Sequence, residues 1–210
     1  MATVLSAAEQ RVLLQNIPWE VYEGLLATQQ DASVPRYTYD EGLLEIMSPS
    51  AEHEHANDVI RLLVNVAAEE MAIDVAGFGS TTYRRKDLAR GFEPDASFYV
   101  THVKQVRGRA TLDLTTDPPP DLVVEIDVTK SSLDKLAIFA RFGIREAWRY
   151  DGTRLTVFVL VAGQYVERQA SDVFPGLAAE TLTRFIGEAR ELERPVWLHR
   201  LRAWIRSHRV

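Results

Sequence analysis

The chain contains no cysteine among its 210 residues. Disulfides and thiolate metal sites are therefore excluded, and nothing in the sequence points to an oxidising compartment. No apolar run approaches the roughly 20 residues that a membrane span needs. The first residues, Met1–Gln15, lack the basic flank and continuous apolar stretch of a signal peptide. These absences predict a cytoplasmic protein without a membrane span.

An excess of positive charge is also missing, because 30 acidic residues against 24 basic ones give a net charge of −6. This balance argues mildly against nucleic-acid binding, which needs Lys and Arg to neutralise phosphates. The argument is weak, since a local basic stripe suffices and a basic run is usually a solvated surface. The basic clusters are Arg84-Arg85-Lys86 with Arg90, then Lys104, Arg107 and Arg109, then Arg200, Arg202, Arg206 and Arg209.

The remaining composition is that of a globular protein with a core, since 46% of the residues are hydrophobic. No internal repeat, low-complexity tract or Gly/Ser linker interrupts the chain, so the sequence predicts one domain over 1–210. We expect its core at about 19–160 and a helical extension at about 178–210.

Hydrophobic periodicity and turn residues predict the order of secondary-structure elements. The order indicates an α/β protein, bordering on α+β, with a mixed sheet. The predicted elements are a helix begun by Pro18, a hairpin of 36–40 and 43–47, a helix after Ser50, strands at 75–83, 96–100 and 122–128, a helix ended by Gly143, a hairpin of 146–150 and 155–160, and a last amphipathic helix.

Two carboxylates sit on segments that otherwise read as buried strands. Asp95 follows Glu93-Pro94 at the start of one apolar run, and Glu125 interrupts another. Buried carboxylates need a compensating positive charge, and Mg²⁺ is held by a few carboxylates together with waters and phosphates. Antiparallel pairing of these strands would bring the two acids together at a phosphodiesterase metal site. The alternative is a turn residue at 95 and a paired structural acid at 125.

A lysine follows these acids at the start of the next predicted helix. Lys135 leads an apolar row that continues through Ile138, Phe139 and Phe142, which directs it towards the end of the sheet. There it could orient or deprotonate an attacking water, or stabilise charge on a phosphate. The alternative is a snorkelling surface lysine, and Lys130 is the competing candidate.

Three further groups of side chains are considered for the same site. Glu45 interrupts an apolar run and either completes the metal shell or is a strand-edge acid. His53 and His55 diverge on a helix, so His53 is interpreted as a helix-start histidine rather than half of a zinc site. The cluster Arg84-Arg85-Lys86 lies between the candidate strands and is a weaker candidate for contacts with phosphates.

Taken together, these residues resemble the Uma-two-like restriction endonuclease family of the PD-(D/E)XK nuclease superfamily. The resemblance covers roughly 19–160 and is specific in combination, whereas Pro-Asp alone would be weak. The matching stretches are Leu44 to Pro49 with His53, Glu93-Pro94-Asp95, Pro119 to Ile126, Leu133 to Gly143, and Glu146 to Tyr150.

The resemblance implies a core of helix, three strands, helix and strand around a central four-stranded mixed sheet, here with an extra N-terminal hairpin and a C-terminal helix. It also implies DNA cleavage that depends on Mg²⁺, with Mn²⁺ as a substitute. Asp95 and Glu125 would be metal ligands, assisted by Glu45. The superfamily pattern places a lysine two residues after Glu125, where this chain has Asp127. The family permits a lysine on the following helix, which Lys135 can be.

Two functions follow from these residues. The first is a metal-dependent endonuclease acting on DNA, favoured by the joint presence of Glu45, Asp95, Glu125 and Lys135. The second is a catalytically inactive nuclease fold that binds DNA or another protein, favoured by Asp127 at the lysine position.

The last predicted helix carries an apolar stripe that needs a covering surface. This surface belongs either to the helix's own domain or to a second subunit. A two-fold dimer is the simplest way to cleave both strands of a duplex, so we expect a homodimer, with self-docking as the alternative. The stripe consists of Trp197, Leu198, Leu201, Trp204 and Ile205.

Overall fold

A computed structural model describes residues 9–29, 32, 34–128 and 133–208, so Lys130 and Arg209 lie outside the described residues. The strands in chain order are β1 (Gln10–Leu14), β2 (Arg36–Asp40), β3 (Leu43–Ser48), β4 (Ala76–Gly77), β5 (Tyr83–Arg85), β6 (Arg90–Phe92), β7 (Ala96–Tyr99), β8 (Leu122–Ile126), β9 (Glu146–Tyr150), β10 (Leu155–Val161) and β11 (Gln164–Arg168). The helices are α1 (Trp19–Gln29), α2 (Ala51–Met71), α3 (Val103–Val106), α4 (Lys135–Phe142), α5 (Ala179–Glu191) and α6 (Arg194–Ser207). The predicted mixed α/β class is confirmed.

The larger sheet has the strand order β11-β10-β9-β8-β7-β4. Strands β8 and β9 pair in parallel and the other neighbours are antiparallel. The expected order of helix, three strands, helix and strand is found in α2, β4, β7, β8, α4 and β9. Strands β4, β7, β8 and β9 form the expected four-stranded mixed sheet, and β10 and β11 widen it to six strands among the described residues. The parallel pair needs a crossover connection, which α4 provides.

The smaller sheet is antiparallel, with the order β1-β3-β2-β6-β5. The predicted hairpin of β2 and β3 is confirmed as part of it, and its turn places Glu41 and Gly42 at positive φ, +47° and +96°. The predicted strand at 75–83 is wrong in its length. It splits into β4 in the larger sheet and β5 in the smaller one, because the chain turns at Gly79, where φ is +59°.

Helices cover both faces of the central strands. Ser50 caps α2 by accepting a hydrogen bond from the His53 amide at 3.2 Å, and α2 packs with α5 and α6 on the face that carries Val124 and Trp148. Helix α4 covers the other face, where Phe139 packs with Val123. Burial on both sides explains why β8 is almost continuously apolar in sequence.

The C-terminal helices dock on this same core. Trp197 is 2% exposed and its indole donates a hydrogen bond to the Phe185 carbonyl at 2.7 Å. Leu201 and Ile205 are also buried, and Trp204 is half-buried. The stripe therefore packs on its own chain, as in the self-docking alternative, and the homodimer stays a prediction. No helix in the described ranges is long and apolar enough to cross a membrane.

Candidate active site

The pairing of β7 with β8 places the two predicted carboxylates at neighbouring strand ends. Ala96 pairs with Val124 in antiparallel register, so Asp95 lies beside Glu125 along the ladder. The Asp95 amide donates to the Val124 carbonyl at 3.1 Å, and the Ile126 amide donates to Asp95 Oδ2 at 2.6 Å. Asp95 is 1% exposed and Glu125 is 3% exposed. The predicted antiparallel pairing is confirmed.

Cations from two other elements hold Asp95. Its Oδ1 atom accepts a hydrogen bond from Arg36 Nη1 on β2 and lies 2.7 Å from His53 Nε2 on α2. Burial alone would raise the pKa of Asp95, but the hydrogen bond from His53 and the charge of Arg36 outweigh it and hold the pKa below its ordinary value. Asp95 is therefore an ionised carboxylate in a buried setting.

Glu125 shares an ion pair with the predicted lysine. Lys135 Nζ donates to Glu125 Oε2 at 2.5 Å, and both side chains are buried. The other carboxylate oxygen, Oε1, is buried without a hydrogen-bond partner among the described groups. Burial, with the charges of Asp95 and Asp127, raises the pKa of Glu125 despite the nearby ammonium. Glu125 thus has one oxygen available to a further positive group.

Local sequence explains why Lys135 points inward. Asp134 caps α4 by accepting the Ala137 amide at 3.3 Å, which makes Lys135 the first residue of the helix. Lys135 lies on the buried face of α4, together with Phe139. Burial lowers the pKa of Lys135, but the surrounding carboxylates, Glu125 first, outweigh this and raise it, so the side chain is an ammonium. The competing Lys130 lies outside the described residues.

Strand β1 reaches the same region, which sequence reasoning did not anticipate. Arg11 Nη1 donates to Glu45 Oε1 at 2.8 Å and Nη2 lies 3.4 Å from Asp127 Oδ1. Its Nε also donates to Glu9 at 2.8 Å. Arg11 therefore joins the acid at the superfamily's lysine position to the acid predicted as a third metal ligand.

His53 has a larger part in the site than a helix-start histidine. Its Nδ1 lies 2.7 Å from Glu9 Oε2 and its Nε2 lies 2.7 Å from Asp95 Oδ1. Burial lowers its pKa, but the hydrogen bonds to the two carboxylates outweigh this and raise the pKa to about 9. One signal in the sequence could have revealed this role: His53 stands at helical spacing from Asn57 and Ile60 on the buried row of α2.

The residues fit a hydrated Mg²⁺ better than a closed metal site. Within the described ranges no group of three or more His, Asp or Glu residues is arranged to hold a metal ion. Mg²⁺ needs only one or two carboxylates, because it keeps several waters and also binds substrate phosphates. Glu125 Oε1, buried without a donor, is the atom that suits such an ion, and Asp95 is the neighbouring carboxylate.

A cavity of about 290 Å³ opens onto this region. It is lined by Glu125, Asp127 and Lys135, and Arg149 of β9 stands at its edge. The predicted phosphate-contacting cluster 84–86 does not line it. Arg84 lines a separate cavity beside α1, which Glu93 also lines. Arg85 forms a surface ion pair with Asp87, and Lys86 forms one with Glu20.

The mixed sheet covered by α2 and α4, with carboxylates and a lysine at its central strand ends, defines a restriction-endonuclease-like fold. Residues 19–189 match the family model Uma2, described as "Putative restriction endonuclease", and the chain belongs to this family. The predicted resemblance is confirmed. Glu9 and Arg11 precede the matched segment.

One solved structure similar to this chain is that of "a putative nuclease belonging to DUF820 from Anabaena variabilis ATCC 29413". The two chains superpose with a TM-score of 0.51 and 16% sequence identity, over 72% of this chain and 92% of the other. At this identity the likeness supports the fold alone. No curated protein matches the chain significantly.

Proposed function

We propose that this protein is a metal-dependent endonuclease that hydrolyses phosphodiester bonds in DNA. One observation carries the proposal: Glu125 keeps a buried oxygen without a donor beside the ammonium of Lys135 and the charged Asp95. A structural acid has no reason to leave an oxygen unsatisfied in a protein interior. Membership of a family described as restriction endonucleases supports DNA as the substrate.

Asp95 and Glu125 are the proposed ligands of Mg²⁺, or of Mn²⁺ as a substitute, with Glu45 as an assisting acid. When bound, the ion supplies Lewis-acid polarisation of the scissile phosphate. Glu45 Oε1 accepts a hydrogen bond from Arg11 at 2.8 Å. In the described arrangement Glu45 therefore assists by holding Arg11.

Lys135 acts as a cation in the proposed reaction. The water oxygen bonds to phosphorus, the bond from phosphorus to the leaving sugar oxygen breaks, the water proton passes to solvent and the leaving oxygen takes up a proton. Because the surrounding carboxylates raise the pKa of Lys135, its ammonium orients the water and stabilises charge on the phosphate rather than removing the proton.

A plasmid assay tests this proposal. We expect Mg²⁺ or Mn²⁺, but not EDTA, to support conversion of supercoiled DNA to nicked and linear forms. Asp95→Asn and Glu125→Gln preserve side-chain shape and should lower the rate by at least about 100-fold. Glu167→Gln, on the exposed strand β11, is the matched control. Cleavage that persists in EDTA, or in Glu125→Gln, contradicts the proposal.

A second function, a catalytically inactive fold that binds DNA or protein, is favoured by one specific observation. The superfamily's lysine position holds Asp127, and that carboxylate is engaged by Arg11. A fold without catalysis has no use for a divalent ion, so binding of Mg²⁺ or Mn²⁺ separates the two functions.

A further inference from the structure

Arg149 occupies a defined place opposite one of the proposed metal ligands. Glu125 on β8 and Arg149 on β9 are partners in the parallel register, so their side chains leave the same face of the sheet. The preceding pair on that face, Val123 and Ala147, is packed in the core with Phe139. Glu125 and Arg149 instead line the cavity.

Arg149 differs from the other cations near the site because its N–H groups have no protein acceptor among the described residues. Lys135 is committed to Glu125, and Arg11 and Arg36 are buried among carboxylates. Arg149 is exposed, and within the part of the chain that the structure describes its side chain forms neither an ion pair nor a hydrogen bond. Its guanidinium carbon lies 4.9 Å from the centroid of the Phe158 ring.

This stacking on Phe158 leaves the N–H groups of Arg149 available as hydrogen-bond donors. A guanidinium laid over an aromatic ring is held by its face, while its N–H groups at the edge remain free to donate. That planar fork matches the two non-bridging oxygens of a phosphodiester. A phosphate that enters a cavity lined by Glu125 and Asp127 is repelled by their carboxylates. The positive charge of Arg149, which also lines the cavity, offsets this repulsion.

We propose that Arg149 binds a backbone phosphate of the DNA substrate at the edge of the candidate active site. The inference rests on the proposed function and adds a substrate-binding residue to it. Arg149 positions the strand for Lys135 and the acids, and it takes no part in breaking the bond.

The test is the salt dependence of the Kd for duplex DNA. The Kd is measured by fluorescence anisotropy at several salt concentrations, with Ca²⁺ in place of Mg²⁺. Arg149→Met keeps an apolar side chain over Phe158 but removes the donors. We expect it to weaken binding about tenfold and to reduce the slope of log Kd against log salt by about 0.9, the value of one phosphate contact. Arg149→Lys should restore part of both.

Arg145→Met is the matched control, because Arg145 is an exposed arginine just before β9 whose nearest carboxylate, on Asp172, is 3.8 Å away. It should leave the affinity and the slope unchanged. A wild-type slope in Arg149→Met, or an equal loss in Arg145→Met, overturns the inference while the proposed nuclease function stands. If the wild-type protein neither binds nor cleaves duplex DNA, both proposals fail.

Discussion

At the scale of single residues, the site places several acids around one buried lysine. Asp95, Glu125 and Asp127 all act on the ammonium of Lys135, and only Glu125 contacts it directly among the described atoms. This arrangement raises the pKa of Lys135, while burial and the charges of Asp95 and Asp127 raise the pKa of Glu125. In the proposed reaction, the ammonium that faces the phosphate is that of Lys135, the first residue of α4.

Replacing this lysine should separate catalysis from metal binding. We expect Lys135→Met to lower DNA cleavage by at least about 100-fold, because it removes the charge that faces the phosphate, while Mn²⁺ binding measured by calorimetry persists. Lys104→Met, an exposed lysine on α3, is the control. Full activity in Lys135→Met together with loss of activity in Lys130→Ala would move the catalytic role to Lys130.

At the scale of elements, β1 belongs to the site although it precedes the family match. Arg11 is 8% exposed in its side chain and contacts three acids, which lie just before β1, on β3 and just beyond β8. A buried guanidinium of this kind stabilises the fold through its ion pairs with carboxylates. Removing the guanidinium leaves negative charge in the interior that is less well compensated.

Removal of this guanidinium should therefore destabilise the protein strongly. We expect Arg11→Met to lower the free energy of unfolding by about 3–5 kcal/mol, since it removes a buried guanidinium that ion-pairs with Glu9, Glu45 and Asp127. Urea unfolding measures the change, and the double variant Arg11→Met/Glu45→Gln should recover part of it. Arg85→Met removes a surface pair and should cost less than about 0.5 kcal/mol. Equal costs for the two arginines would refute the role given to β1.

A second link between elements holds α6 on α2. Arg202 Nη1 and Arg206 Nε donate to Glu70 at 2.8 and 2.6 Å. The hydrogen bonds from these arginines, Arg206 first, lower the pKa of Glu70 from 4.5 to about 2. A depressed carboxyl pKa stabilises the fold above the unfolded value of 4.5, and this contribution is lost as the pH falls from 4.5 through 2.

Glu70→Gln should therefore flatten the acid side of the stability profile. We expect the urea midpoint of the wild-type protein to fall between about pH 5 and pH 2 more steeply than that of Glu70→Gln. Glu69→Gln is the control, because Glu69 is an exposed neighbour that pairs only with Arg202 among the described residues. Parallel profiles for wild type and Glu70→Gln would show that the link does not depend on charge.

The elements also show how far the sequence could predict the fold and the site. The hairpin β9–β10 and the caps of α2 and α4 follow from local signals, and Glu125 was identifiable because a carboxylate interrupts an apolar strand. Strands β1, β6 and β11 carry weak local patterns and exist through pairing with strands elsewhere in the chain. For the same reason the sequence could not assign the partners of His53 and Arg11, which lie on other elements.

At the scale of the whole molecule, one core joins the predicted central region to the C-terminal helices. Residues of α2, β8, β9, α5 and α6 pack in the same hydrophobic cluster. The division into a core at 19–160 and an extension at 178–210 stays a prediction. So does the homodimer, which is expected from the geometry of cutting both strands of a duplex.

Light scattering at micromolar concentration tests the assembly. We expect twice the chain mass of 23.7 kDa, because two copies related by a two-fold axis present one site to each strand of a duplex. A mass of 23.7 kDa with and without DNA would exclude the dimer. The apolar stripe of α6 would then serve only the core of its own chain.

Asp95 and Glu125 are proposed to hold a divalent ion, and calorimetric titration with Mn²⁺ measures this binding. We expect one ion bound per chain, an increase in melting temperature because the ion binds only the folded state, and loss of both effects in Glu125→Gln but not in Glu167→Gln. Absence of binding at millimolar Mn²⁺ and Mg²⁺ in the wild-type protein, or unchanged binding in Glu125→Gln, would show that these two carboxylates do not form a metal site.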